Sequence, residues 1–235
     1  MGTLYLVATP IGNLGDISLR GLKTLFNVDV IACEDTRRTG MLLGKLVAEF
    51  STNPEDKRKP RLISYYEQNE LARIPEIISL LQQDISVALV SDAGTPAISD
   101  PGFKLIRECI KEKIKVESLP GASSVITALT VSGLPTDKFT FVGYPPRKPG
   151  HRRKYFEDIK AAQGFIKSTV IMFEAPHRIV KTLAELKEIY GDIEIVLCRE
   201  LTKVYEEVRR EPITRAQAHF KKTEPKGEFV LLFHL

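Results

Sequence analysis

Tryptophan is absent from the sequence, methionine and cysteine each occur three times, and no apolar run is long enough for a membrane span. A bilayer-crossing helix needs about 20 mainly apolar residues, so neither a span nor a membrane partner is expected. Cys33, Cys109 and Cys198 are odd in number and far apart. They form no CxxC pair and no disulfide framework, so no metal site is expected, and they suit a reducing, cytoplasmic compartment. The N-terminal MGTLYLVATPIGN has no basic head and too short an apolar part for a signal peptide. Leu6 stands where a myristoylation motif requires a hydroxyl. Two nucleotide signatures are missing as well: no glycine-rich loop runs into Lys-Ser/Thr, and there is no GxGxxG.

What is present points to a folded α/β chain. Hydrophobic residues make up 43% of 235, enough to exclude disorder as the dominant state. The length suits one large domain or two of about 100–130 residues. Apolar runs at Thr3–Ala8, Asp29–Cys33, Arg61–Ser64, Ile85–Val90 and Lys115–Leu119 alternate with helical periodicity over Ser18–Phe26, Thr36–Val47, Leu71–Leu81 and Gly102–Glu112. Strands alternating with helices imply a mainly parallel sheet. After Pro120 the pattern changes. A small-residue helix is expected over Ala122–Val131, with further helices at Arg152–Ala162 and His177–Tyr190. Strands are expected at Phe139–Val142, Thr169–Phe173, Ile193–Arg199, Val204–Glu211 and Phe229–Phe233, the fourth antiparallel and partly exposed. Two α/β domains follow, residues 1–119 with a mainly parallel sheet and 120–235 with a mixed one.

Net charge is only +4, but the basic residues cluster. Arg147, Lys148, Arg152, Arg153 and Lys154 lie within RKPGHRRK, and Lys57–Arg61 reads KRKPR. Both are read as loops. Each is either a solvated surface or a phosphate contact.

The segment LVSDAGTPAISDPG, 89–102, follows the Ile85–Val90 strand and contains almost no bulk. Ligands of α/β proteins bind at the carboxyl ends of parallel strands, and small residues let a ligand approach the backbone. The same loop can serve as a long turn with Asp100 as N-cap before Pro101. TPIGNLGD, 9–16, has the same placement after the first strand.

Seven segments in order resemble the tetrapyrrole methylase superfamily. They are LYLVATPIGNLGDIS (4–18), ACEDTRRTG (32–40), LVSDAGTPAISDPG (89–102), LPGASSVITAL (119–129), FEAPHR (173–178), CRELTK (198–203) and KGEFVLL (226–232). The closer likeness is to its ribosomal RNA branch. Each segment is unspecific alone, whereas seven in order over nearly the whole chain are very specific.

The resemblance implies two domains with S-adenosylmethionine (SAM) in the cleft between them. Matched by motif, the cofactor contacts are Pro10, Ala93, Gly94, Thr95, Ile98 and Ser99, with Ser123, Phe173, Glu174, Leu201, Lys226 and Gly227. The implied reaction is methylation of the ribose 2′-hydroxyl of a decoding-centre cytidine in 16S ribosomal RNA, within the 30S subunit, by a homodimer. Many relatives continue past KGEFVLL into a further helical segment, whereas this sequence is printed to Leu235.

Proton removal from the hydroxyl calls for a base, and the candidates are Asp35, Glu34 and His177. Asp35 is equally an N-cap, and His177 equally an RNA contact or a structural histidine. Arg37, Arg38 and Arg178 join the basic run as RNA contacts, with a surface ion pair the alternative for Arg37. Two other functions fit parts of the sequence: methylation of a small tetrapyrrole, and a non-catalytic RNA-binding module. The first loop lacks the GxGxGD of tetrapyrrole-modifying relatives, and the intact small-residue loop argues against a module without cofactor.

Overall fold

The computed structural model describes residues 1–50 and 59–235. The chain divides into two compact units, Met1–Ser123 and Ser124–Leu235, which puts Pro120–Ser123 with the first.

The first unit is an alternating βα chain: β1 (Thr3–Val7), α1 (Leu19–Asn27), β2 (Val30–Cys33), α2 (Thr36–Phe50), β3 (Arg61–Ser64), α3 (Glu70–Gln82), β4 (Val87–Val90), α4 (Phe103–Lys111) and β5 (Lys115–Leu119). The five strands pair in the order β3-β2-β4-β1-β5, all parallel. Side chains alternate across a strand, so an apolar run feeds two cores. Leu4, Val30, Val87 and Leu89 pack on one face with Ile77, Leu81 and Leu105. Val7, Ile31, Ala88 and Val90 pack on the other with Leu22, Leu25 and Leu46. Helix α1 begins where Ser18 accepts a hydrogen bond from the Gly21 amide at 3.0 Å. Helix α4 departs from expectation. It starts at Phe103 after Gly102, whose φ is +147°, so Asp100 is not its cap.

The second unit carries α5 (Ser124–Ser132), β6 (Phe139–Phe141), α6 (Pro149–Phe165), β7 (Thr169–Glu174), α7 (Pro176–Tyr190), β8 (Glu194–Arg199), β9 (Glu207–Pro212), α8 (Ile213–Phe220) and β10 (Phe229–Phe233). Its sheet order is β6-β7-β10-β8-β9, parallel only between β6 and β7. Central β10 is buried throughout, which explains its unbroken FVLLF. Its core joins Phe156, Met172, Leu183, Leu197, Ile213, Leu231 and Phe233.

Two readings of this half change. The run RKPGHRRK is mostly helix rather than loop, because Pro149 opens α6 at its first position, where a missing amide costs nothing. Helix α8 was not anticipated. It is short and follows Pro212 directly, so its periodicity spans too few turns to stand out.

Candidate functional site

Three loops converge at the carboxyl ends of β1, β4 and β5. Thr9 and Gly94 exchange both backbone hydrogen bonds at 3.0 Å, tying the first loop to the fourth. Buried Thr9 also donates its hydroxyl to the Ser91 carbonyl at 3.1 Å. Thr95 donates to the Ala122 carbonyl at 2.9 Å, which brings in the segment after β5. Space here is minimal. A Cβ on Gly121 would stand 2.7 Å from that of Ala8, and one on Gly94 3.3 Å from Ile11 Cγ2. Gly94 has φ +86°, and Ala97 and Ser99, which are not glycine, have φ of +68° and +61°. Left-handed backbone at such residues costs about 1–3 kcal/mol each and persists only where the surroundings enforce it.

These findings refine the expected cofactor contacts. The amide and carbonyl of Gly94 and the hydroxyl of Thr95 each make a bond within the loops, which fixes the surface they form. Ala93, Ile98 and Ser99 are exposed on the rim, with Pro10 half-buried beside them in the chain after Thr9. Ser123, half-buried, follows the anchored Ala122.

Carboxylates gather beside these loops. Glu34 and Asp35 follow β2, and Asp92 follows β4. Asp35 is an N-cap: its Oδ1 accepts from the Arg37 amide at 2.8 Å and from the Arg38 amide at 3.4 Å. Those bonds, the Arg37 amide first, hold its carboxyl below the usual range. Glu34 behaves oppositely. Burial first, then the Asp100 carboxylate, push it up, although the Asp92 amide donates to it at 3.3 Å. Asp100 is raised by burial and by Asp92, with the Ser91 hydroxyl opposing. Arg38 is the cation of this group, its NH1 2.8 Å from Asp92 Oδ2. The other Asp92 oxygen, Oδ1, is buried without a hydrogen-bond partner. Asp92 and Asp100 were not singled out as site residues. Both stand in the quoted SDAGTPAISD, but only the folded loop turns them toward Glu34.

A SAM-like ligand fits this arrangement. An unsatisfied buried carboxylate oxygen asks for a donor, the small exposed side chains of Ala93 and Ser99 leave room beside the loop, and the acidic excess suits a cationic sulfonium. Among the described residues no group of His, Cys, Asp and Glu is arranged to hold a metal ion.

In the second unit the motif residues have different occupations. Glu174, at the end of β7, is fully buried. It accepts from Thr182 and from the Ala175 amide at 2.8 Å, and pairs with Arg178 Nε at 3.1 Å. Arg178 also donates to the Pro145 carbonyl. It is therefore an internal brace, not an exposed RNA contact, and the Glu174 side chain is committed to it. Leu201 is buried. Gly227, φ +86°, makes room for Glu200, whose carboxylate would lie 2.6 Å from a Cβ there. Phe173 is half-buried against Phe141 and Tyr144. Exposed Lys226 lies 3.3 Å from Glu224, and His177 is exposed in the first turn of α7.

The basic run also separates. Arg152 is 4% exposed and forms a two-point ion pair with Glu185, at 2.7 and 2.5 Å. Its expected role in RNA binding is corrected: the guanidinium is inside the fold. Arg153 pairs with Glu157 and Glu188, and Lys154 with Asp158, all at the surface. Arg147 and Lys148 are exposed, with no carboxylate at ion-pair distance among the described residues. Arg37 is 89% exposed and 3.6 Å from Asp35. In KRKPR, Lys57 and Arg58 lie outside the described residues, and Arg61 pairs with Glu76 at 2.8 Å.

The fold and these motifs define a methylase. The model of the tetrapyrrole (corrin/porphyrin) methylases matches residues 3–217, and the chain belongs to that family. It is 43% identical over 232 residues to ribosomal RNA small subunit methyltransferase I of Thermotoga maritima, covering 99% of this chain and 98% of that one. With the protein of the same name from Hydrogenobaculum sp. the identity is 46% over 230 residues, covering 97% and 94%. Among solved structures, uroporphyrin-III C-methyltransferase of Thermus thermophilus, complexed with S-adenyl homocysteine, aligns with a TM-score of 0.63 at 16% identity, covering 98% and 97%. Diphthine synthase aligns with a TM-score of 0.70 at 16% identity, covering 99% and 90%. At these identities the two structures establish the shared fold alone. No described helix is long and apolar enough to cross a membrane.

Proposed function

We propose that the protein transfers a methyl group from SAM to the ribose 2′-hydroxyl of a decoding-centre cytidine in 16S ribosomal RNA, on the 30S subunit, as a cytoplasmic homodimer. The observation that carries this reading is identity above 40%, over nearly the full length, with relatives named for the small ribosomal subunit. SAM, when bound, supplies a methyl already activated on sulfonium.

The chain's own residues have three tasks. The braced loops around Thr9, Gly94 and Ala122 present a rigid wall, with Ala93, Ile98 and Ser99 exposed on it, so little ordering is left for the moment of binding. Glu34, Asp92 and Asp100 give that wall a negative edge. Glu34 takes the hydroxyl proton, because its raised carboxyl is a stronger base than the capping Asp35, whose bonds hold it low. Arg37, 89% exposed and only loosely paired with Asp35 at 3.6 Å, projects from the start of α2 and holds a phosphate.

Mass mapping of ribose methylation in 16S RNA from cells with and without the protein tests the reaction. A decoding-centre cytidine that keeps its 2′-O-methyl group in both would remove the proposal. Turnover on uroporphyrinogen without turnover on 30S subunits would replace it with the small-tetrapyrrole reading.

A further inference from the structure

The segment Gly143–Lys148, between β6 and α6, is held from inside by two arginines, Arg152 buried and Arg178 13% exposed at its side chain. Arg178 reaches the carbonyls of Pro145 and Pro146, the second at 3.5 Å, and Arg152 reaches that of Arg147, also at 3.5 Å. Each arginine is fixed by a carboxylate of its own, Glu174 and Glu185. The Gly143 carbonyl accepts from the Phe173 amide at 3.0 Å, and Tyr155 donates to the Val142 carbonyl. Desolvating two guanidiniums costs several kcal/mol per ion before pairing, a large outlay for holding a surface segment still.

The segment presents three exposed side chains. Tyr144 is 55% exposed, its ring backed by Phe173 at 5.3 Å, which is itself edge-on to Phe141 at 4.9 Å. Arg147 and Lys148 follow within about 14 Å of chain, with no carboxylate at ion-pair distance among the described residues. Their neighbours Arg152, Arg153 and Lys154 are all paired. A fixed aromatic face beside unneutralised cations is the combination that binds single-stranded nucleic acid, with a base on the ring and phosphate on the cations.

We propose that Tyr144, Arg147 and Lys148 form a contact site for one unpaired nucleotide of the RNA substrate. The site rests on the RNA reading above and goes further, naming an unstacked base as what is recognised. The aromatic ring favours a base over a purely electrostatic hold on duplex backbone, since stacking needs an open base face.

The test uses the intact protein and a fluorescein-labelled single-stranded RNA of about 12 nucleotides, with calorimetry of SAM and sedimentation as parallel readouts. Tyr144→Ala should weaken RNA binding by about 5- to 150-fold, and Tyr144→Phe should restore most of it. Arg147→Ala with Lys148→Ala should lower the slope of log affinity against log salt by about 1.4, two phosphate contacts' worth. SAM affinity and oligomeric state should not move. Unchanged RNA affinity in Tyr144→Ala overturns the site. So does a loss confined to SAM, which would give the ring to the cofactor, or a loss that tracks subunit dissociation, which would give it to a second copy of the chain. If wild-type protein binds no RNA, the RNA reading itself fails, an outcome distinct from a variant that matches a binding wild type.

Discussion

The acidic rim of the first unit and the basic run of the second are both conspicuous in the sequence, and the fold treats them in opposite ways. Along α6 the positive charges are cancelled nearly one for one: Arg152 by Glu185, Arg153 by Glu157 and Glu188, Lys154 by Asp158. At the ends of β2 and β4, Glu34, Asp92 and Asp100 interact with one another, and Arg38 pairs with Asp92. A run of like charge in a sequence therefore says little until its pairing is known. The density of charge was higher in RKPGHRRK, yet within that run only Arg147 and Lys148 stay without a carboxylate at ion-pair distance among the described residues, whereas the scattered carboxylates of the first unit have Arg38 against three of them.

The largest expected effect tests the acidic side. Glu34→Gln should lower single-turnover methylation of 30S subunits, measured at saturating SAM, by about 10²–10⁴-fold, with thermal stability at neutral pH no lower than wild type. A rate within threefold of wild type would return the base to His177 or to no side chain. Arg152→Ala comes next and tests the basic side. It leaves Glu185 partly buried without its partner and should cost about 3–5 kcal/mol in urea unfolding. Lys154→Ala should cost no more than about 1 kcal/mol in the same measurement. Equal losses at the two positions would mean that the α6 charges are not differentiated by burial.

Gly94→Ala is a smaller perturbation. A left-handed backbone penalises any Cβ by about 1–2 kcal/mol, and Ile11 must yield slightly at 3.3 Å. A modest stability loss with a clear loss of SAM affinity is expected. The bulkier Gly94→Val would confuse unfolding with loss of binding.

The smallest effect is in pH. Because the folded-state pKa of Glu34 is raised, its protonated form is favoured by folding. That contribution is full below the ordinary carboxylate range and is lost as pH rises through the raised value. Glu34→Gln should therefore gain stability relative to wild type above that pH, with no gain in acid. Asp35 has the opposite sign, since its lowered pKa gives stability above the ordinary range that disappears as pH falls through the folded value. Asp35→Asn should lose that pH dependence and keep the cap.

Local information sufficed for the alternation of strand and helix, for the loop after β4, and for the capping role of Asp35, whose partners are two and three residues away. It did not suffice where the deciding partner is remote. Arg152 and Glu185 are 33 residues apart, as are Arg178 and Pro145, so the burial of Arg152 and the internal bonding of Arg178, in motifs that looked like RNA contacts, could not be read along the chain. The convergence of Glu34 with Asp92 likewise spans 58 residues and depends on β2 and β4 being sheet neighbours although separated by β3 in sequence. The relation of Gly227 to Glu200 is of the same kind. A glycine that looked like room for a ligand is also room for a carboxylate.

The two-way bridge between Thr9 and Gly94 bears on time as well as shape. Amides in surface loops usually exchange their hydrogens with water quickly, since brief local openings suffice. Here both amides are bonded to each other's residue, and both residues are buried. Their exchange should follow the slow clock of the β-sheet rather than the fast clock of a loop. The floor of the site would then stay assembled over intervals long compared with the arrival and departure of a small ligand, and SAM would meet a surface already made.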